Sequence, residues 1–401
     1  RFIGMHTHIA TIAICMGAGL GTGISAGLAF AGEITPPAGL YCSCPPTTGN
    51  GNGSVIPEVA QLDHVDGVLV RMEWGTLEPS PGVYDWSLLD EQISRADQYG
   101  IKISLAVVNG SAAPSWLSSM GVEMFSFQFG TETREMPIPW DSTFQSRWTQ
   151  FIAAMGTRYA NEDTISLVYA TNSSRNGFEM QLPFSPADQI NWQAAGYSDA
   201  LYADSWKTAI DAFVGAFPNH PVSHEVHPVL GSDDVAINVY QHARDTHAET
   251  VGVLAAWWMV HNALDVYPGM FEILKDASLA SHSQVQVANS YTNTPDRFSD
   301  EGYQGEIDLA IESGVRYMEV WNSDLLNASL TDLMIETSAR LNTPFCNFAD
   351  LDQNGYLDFF DVSAFLGAFT AQDQTADYTG DGAFDFFDVS TFLSMFNDGC
   401  P

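Results

Sequence analysis

The sequence predicts an α/β protein, a (β/α)8 barrel followed by a small all-α module. Two observations carry that prediction. Short apolar runs alternate with amphipathic helical stretches along residues 39–345, and a tail from Cys346 repeats itself in a different pattern. The apolar runs that suit barrel strands are Gly39–Cys42, Gly67–Met72, Ile101–Val108, Ile165–Ala170, Val222–Val226, Val251–Trp257, Gln284–Asn289 and Val315–Val320. Between them, Ser87–Tyr99 gathers Leu88, Leu89, Ile93 and Ala96 mainly on one side of a helix. Thr143–Tyr159 does the same with Trp148, Phe151, Ile152, Met155 and Tyr159, and Leu201–Phe217 with Trp206, Ile210, Phe213 and Phe217. Asp332–Leu341 supplies the last helix. A doubly wound sheet is the structural alternative, but no Gly-rich phosphate turn follows the first strand.

Residues 1–31 are expected to be a signal peptide. The uncharged apolar run Ile9–Phe30 ends in Ala29-Phe30-Ala31, an A-x-A cleavage signal. The barrel domain then spans 32–345 and the tail module 346–401. A secreted or cell-surface protein is expected, with no membrane association after cleavage. The chain carries 14 Lys and Arg against 49 Asp and Glu, a formal net charge of −35. Such a surface repels polyphosphate, which excludes nucleic acid as a natural partner. It also suits saline surroundings, where like charges are screened. Cys346 and Cys400 bracket the tail and are expected to pair, while Cys42 and Cys44 either bridge with strain or stay reduced.

The tail repeats at Asp358–Leu366 and Asp385–Leu393, with the same DFFDVS start in each copy. Asp350, Asp352, Asn354, Asp358 and Asp361 fall at positions 1, 3, 5, 9 and 12 of one loop, with Gly355 at position 6. Asp377, Thr379, Asp381, Asp385 and Asp388 repeat that spacing around Gly382. Oxygen ligands at those offsets are the pattern of a Ca2+ loop, although position 12 is Asp rather than Glu. Thr379 is the weakest of these ligands. The loops resemble dockerin modules, a likeness that implies structural Ca2+ and docking to a scaffold or cell-surface protein. No cofactor is expected for catalysis.

Two glutamates stand out in the barrel region, Glu179 in NGFEM and Glu319 in YMEVW, each expected where a barrel strand ends. Cleaving an acetal needs one carboxyl to protonate the leaving oxygen and a second carboxylate facing the anomeric carbon. Glu179 lies between Phe178 and Met180, a setting that favours a retained proton. In a strand, Glu319 points opposite to Met318 and Val320, towards the barrel axis if those two face the helices. Glu225 in SHEVHP is the reserve carboxylate. Arg71 alternates with Val70 and Met72 and is expected to orient the nucleophile or hold a sugar hydroxyl, with Glu73 in support. Trp74, Trp140, Trp258 and Trp321 are the expected stacking platforms for pyranose rings. Asn172, His227 and Asn289 are the expected polar contacts. No H-E-x-x-H or G-x-S-x-G motif points to a zinc protease or an esterase.

Val70–Asp90 reads VRMEWGTLEPSPGVYDWSLLD and Gly100–Leu117 reads GIKISLAVVNGSAAPSWL. These stretches resemble the second and third strands of clan A glycoside hydrolases, above all the GH42-type β-galactosidase group. The resemblance implies a retaining mechanism with two glutamates and a galactose-containing poly- or oligosaccharide as substrate. It also implies an Asn-Glu pair after strand 4 and a nucleophile on strand 7. This chain departs from the first: SLVYATNSSRNGFEM contains no Asn-Glu, and Glu179 is the nearest acid. Counting strands puts Glu319 on strand 8. A non-catalytic carbohydrate-binding barrel and a polysaccharide lyase are the competing readings.

Overall fold

The computed structural model describes residues 34–44, 54–344, 346–352 and 355–400. The expected signal peptide and Asn354 lie outside them. Among the described residues ten strands form: β1 Gly39–Ser43, β2 Gly67–Glu73, β3 Lys102–Val108, β4 Met124–Phe129, β5 Glu132–Pro137, β6 Ile165–Ala170, β7 Val222–Glu225, β8 Val251–Trp258, β9 Ser283–Val287 and β10 Tyr317–Trp321. Eight of them close into a barrel in the order β1-β10-β9-β8-β7-β6-β3-β2, every neighbouring pair parallel. β4 and β5 form a separate antiparallel hairpin within the stretch between β3 and the helix Ser142–Tyr159. Glu319 is therefore on the eighth barrel strand.

Strand alternation sorts side chains into two cores. Leu40, Cys42, Val68, Val70, Met72, Met318 and Val320 face the surrounding helices. Tyr41, Leu69, Ala106, Leu167, Tyr169, Leu254 and Tyr317 fill the barrel interior. Glu319 shares the parity of Tyr317, so it points to the axis. Cys42 and Cys44 are joined by a disulfide, as are Cys346 and Cys400.

The segment 70–90 owes its residues to packing. Trp74 begins a short helix after β2 and is fully buried among Trp116, Phe144, Trp148 and Phe151. Its indole donates to Glu78 Oε2 at 2.8 Å. Glu78 is itself buried; its Oε1 accepts from Gly82 N at 2.7 Å and from Arg147 Nη2 at 2.5 Å. Trp116 donates to the Glu78 carbonyl at 2.9 Å. The W-x-x-L-E-P pattern thus ties the β2 end to the β3 loop and to the helix Ser142–Tyr159.

At the tail, the helices Phe359–Ala371 and Phe386–Asp398 begin at Asp358 and Asp385, each the N-cap of a capping box. The helices meet through Phe365 and Phe392, stacked 4.1 Å apart between ring centroids. Leu366 and Leu393 are exposed.

The buried ion pair predicts a large response at one residue. Glu78→Ala leaves Arg147 without its carboxylate and should cost about 3–5 kcal/mol of stability in urea unfolding. A loss below about 1 kcal/mol, the range of an exposed pair, would contradict the structural role given to Glu78.

Candidate active site

Glu319 is wholly buried inside the barrel. A carboxylate there is costly unless its oxygens are satisfied. Tyr169 donates to Oε1 at 2.7 Å, and the Tyr317 hydroxyl lies 2.9 Å from the same oxygen. Gln286 of β9 donates to Oε2 at 2.6 Å. Burial pushes the Glu319 carboxyl above its ordinary value; the Arg71 charge and the three hydrogen bonds partly offset it. Burial and then the charge of Glu319 hold Tyr169 far above the ordinary tyrosine range, so its hydroxyl stays protonated and donating.

Arg71 comes from β2, half-buried next to Ser43 and Phe178. Its Nη2 donates to Ser43 Oγ at 3.1 Å, and its guanidinium carbon stands 5.3 Å from the Phe178 ring centroid. Burial lowers the Arg71 pKa, while Glu319 first and then Glu179 hold it up. Arg71 is thus electrostatically linked to both glutamates singled out in the sequence.

Glu179 lies in the loop after β6, beyond the strand end where the sequence had placed it. Asn176 fixes it: Nδ2 donates to Glu179 Oε1 at 2.8 Å, and the Glu179 amide donates to Asn176 Oδ1 at 2.9 Å. Phe178 and Met180 turn inward, and Glu179 between them is half-buried. The Phe178 ring packs 5.2 Å from that of Tyr169, capping the inner core. The loop is locked to the end of β3. Asn109 N donates to Gly177 O at 3.1 Å, and Gly177 has φ +76 with its backbone pressed on Asn109. A Cβ at Gly177 would lie 2.2 Å from the Asn109 carbonyl oxygen, so no other residue fits there.

Glu225 ends β7 beneath the same loop. Its Oε2 accepts from Met180 N at 2.6 Å, and its Oε1 lies 3.0 Å from His227 Nδ1. Burial raises the Glu225 pKa; His227 lowers it and the charge of Glu179 raises it again. His227 also contacts Gln181 through Nε2 and packs on Tyr267 at 4.8 Å.

The remaining expected contacts scatter. Trp74 and Trp258 present no ring face at the mouth, because both are fully buried. A register irregularity between Ala255 and Trp258 of β8 accompanies the outward turn of Trp258, which packs on Phe271 and donates to the Glu306 carbonyl at 2.9 Å. Asn172 also turns outward, donating to Ser205 Oγ at 2.9 Å on the helix Asp199–Ala216. Trp140 is half-buried against Trp192 and Tyr197, with its indole on the Ala195 carbonyl. Asn289 accepts from Arg297 at 3.0 Å. Trp321 is half-buried at the end of β10 and donates to the Val287 carbonyl at 2.8 Å. Glu73 and Trp116 line a groove beside the ends of β2 and β3 with Thr76, Ser111 and Ser115. Tyr169, Tyr317 and Gln286 were not anticipated, although Tyr317 shares the strand face of Glu319 two residues away. Phe178 was noted only as a neighbour of Glu179.

In the tail, Asp350, Asp352 and Asp361 bring carboxylate oxygens within 4.8 Å of one another. Asp361 Oδ1 also accepts from Leu351 N at 2.8 Å. Asp358 caps its helix rather than joining that group. In the second loop, Thr379 Oγ1 lies 3.0 Å from Asp388 and 3.4 Å from Asp377, Asp381 accepts from Ala383 N, and Asp385 caps the next helix. Among the described residues, this second loop does not gather three carboxylates as the first does.

The raised carboxyls set a pH dependence. A carboxyl with a raised folded pKa penalises folding only when ionised. The penalty is absent below the unfolded value of about 4.3 and is complete above the folded pKa. The stability difference between Glu225→Gln and the unsubstituted protein should therefore move in the variant's favour as pH rises from about 4 to 8. Urea unfolding across that range checks it; a flat difference would contradict the assigned burial penalty.

Residues 60–182 match the Glyco_hydro_42 family model, described as beta-galactosidase. The match spans β2 to the loop bearing Glu179 and stops before Glu225 and Glu319. No curated protein matches the chain. The catalytic domain of beta-amylase from Paenibacillus polymyxa is similar in fold, with a TM-score of 0.54 at 11% identity over 76% of this chain and 99% of that one. Beta-galactosidases from the psychrophilic Marinomonas ef1 and from Rahnella sp. R3 align with TM-scores of 0.48 and 0.49, each at 12% identity over 76% of this chain. The chain spans 60% and 56% of those two proteins' lengths. The matched segment lies within the closed parallel barrel and makes this chain similar to that glycoside hydrolase family over residues 60–182.

Proposed function

We propose that the barrel cleaves O-glycosidic bonds in a galactose-containing poly- or oligosaccharide, with Glu319 as nucleophile and Glu179 as proton donor. The observation that carries this reading is that Tyr169, which donates to Glu319, and Arg71 both pack on the ring of Phe178, the residue next to Glu179. Tyr169, Tyr317 and Gln286 hold the Glu319 carboxylate in one orientation, which supports attack on an anomeric carbon presented from the axis. Arg71 stabilises the ionised form that such an attack needs. Glu179 is the more accessible carboxyl, on the loop above, and can reach a leaving oxygen from outside. Glu225 stays the reserve carboxylate, beneath the loop with its oxygens on Met180 N and His227 Nδ1. Galactose and retention follow from the likeness to the β-galactosidase group; the barrel alone carries neither.

The raised pKa of Glu319 predicts that kcat/KM falls on the acid side at a pH above the ordinary carboxyl value of about 4.3. Glu319→Gln should abolish hydrolysis of both alkyl and aryl β-galactosides. Glu179→Gln should lose about 10²–10⁴-fold on the alkyl glycoside and far less on an activated aryl glycoside, which needs little proton donation. Equal losses on both substrates would exclude Glu179 as the acid. Release of the inverted anomer, read by NMR, would exclude a covalent role for Glu319.

One observation favours a second reading, a glycan-binding barrel without turnover. Glu319 is fully buried, and its oxygens are already occupied by Tyr169, Tyr317 and Gln286. Glycan binding without release of any sugar by the unsubstituted protein would establish it.

The tail fits a dockerin-like Ca2+ module serving an exported enzyme, with a scaffold or cell-surface protein as its partner. The converging carboxylates of Asp350, Asp352 and Asp361 support the first loop as the stronger cation site. Calorimetric titration of the whole chain should therefore find tight Ca2+ binding lost in Asp361→Ala. Chelation should leave hydrolysis of a small aryl glycoside unchanged. Loss of that activity on chelation would overturn the separation of cation binding from catalysis.

A further inference from the structure

The helices Asp199–Ala216 and Asp234–His247 carry a second cluster of ligand-type side chains. Asp211 comes from the first helix, His242 and His247 from the second. Both imidazoles aim Nε2 at one oxygen, Asp211 Oδ1, at 2.8 Å from His242 and 2.7 Å from His247. The three ligand atoms lie within 4.8 Å of one another. The histidine side chains are 23% and 21% exposed and Asp211 is 49% exposed, so an ion can arrive from solvent without unfolding.

The geometry points to a structural site for a divalent transition-metal ion of the zinc type, held by Asp211, His242 and His247. Two neutral imidazoles and a carboxylate form a mixed nitrogen and oxygen set that such ions prefer to Ca2+ or Mg2+. Metal bonds of about 2.0–2.1 Å in a tetrahedral site put ligand atoms roughly 3.3 Å apart. The present contacts need to widen by only about half an ångström, which partly exposed side chains can supply. The fourth position falls to water on the open side. The net charge of −35 draws cations to the surface as a whole.

Position tells what the ion does. The first helix leads into β7 and the second into β8, so both end at the rim opposite the strand ends that carry Glu225. An ion there cannot touch a substrate at the mouth. It links two neighbouring helices, Asp211 on one and the last turns of the other. At a helix end the free carbonyls also favour positive charge. Two histidines sharing one carboxylate oxygen as a plain surface ion pair would contribute little by themselves.

The test uses the full chain, saturated with Ca2+ so that the acidic tail loops are already filled, and Zn2+ as the probe. Isothermal titration should show one Zn2+ per chain, and thermal unfolding should shift upward with Zn2+. His242→Gln and His247→Gln should each weaken binding by at least about tenfold and remove the shift. Asp211→Asn, which keeps a hydrogen-bond acceptor but loses the charge, should weaken it as well. Circular dichroism confirms that each variant is folded before titration. Absence of stoichiometric binding in the unsubstituted protein, or binding in both histidine variants as tight as in the unsubstituted protein, would overturn the proposal.

Discussion

The interior of this barrel depends on one buried charge. Glu319 sits where the surrounding strands supply Leu69, Ala106, Leu167 and Leu254, an environment that rejects a carboxylate. Four strands answer it. β2 sends Arg71, β6 sends Tyr169, β9 sends Gln286, and β10 adds Tyr317 from the same face. Because the donors come from different strands, the charge is satisfied only when the barrel is closed and in register. The carboxylate therefore specifies the fold at the same time as it invites chemistry. Ser43 on β1 extends the array by accepting from Arg71, and the Cys42–Cys44 bridge flanks that residue on both sides.

The likeness to the β-galactosidase group is strongest where the structure shows least chemistry. Residues 70–90 are organised around Glu78, which binds Trp74, Gly82 and Arg147 in the outer layer. The matched segment ends at residue 182, ahead of Glu225 and Glu319. The family likeness thus covers this scaffold element and stops short of the residue proposed as nucleophile. On β9 the inward position beside Glu319 is Gln286, a neutral donor, and the strand contains no acid.

Much of the barrel was legible because strand and helix periodicities are strong in this chain. Ile165–Ala170 and Ser87–Tyr99 form with the bounds their patterns predict. The axis-facing direction of Glu319 followed from the apolar Met318 and Val320 on either side. The hairpin β4–β5 is absent from the predicted strands, although Phe125 and Phe127 alternate inward. Glu179 was placed at a strand end because nothing in NSSRNGFEM announces how far the loop runs before it turns back on Asn109. Trp258 was misplaced because a local irregularity in β8 cannot be seen in its composition. Tyr169 was missed because a tyrosine in a strand looks like core until its hydroxyl is given a partner across the barrel.

Phe178 changes what binding means for this barrel. It lies over Arg71 and Tyr169, and the loop that carries it is held by Gly177 against Asn109. If Glu319 is the nucleophile, a sugar ring that approaches it past Arg71 and Tyr169 would compete with that phenyl ring for the same partners. The measured affinity is then the intrinsic affinity multiplied by the fraction of molecules with the ring withdrawn. Glycans with a broad apolar face can exchange their own stacking for the lost aromatic contact, while smaller or more polar ones cannot. On the proposed reading, selectivity at this mouth would be decided partly by competition with a residue of the protein itself.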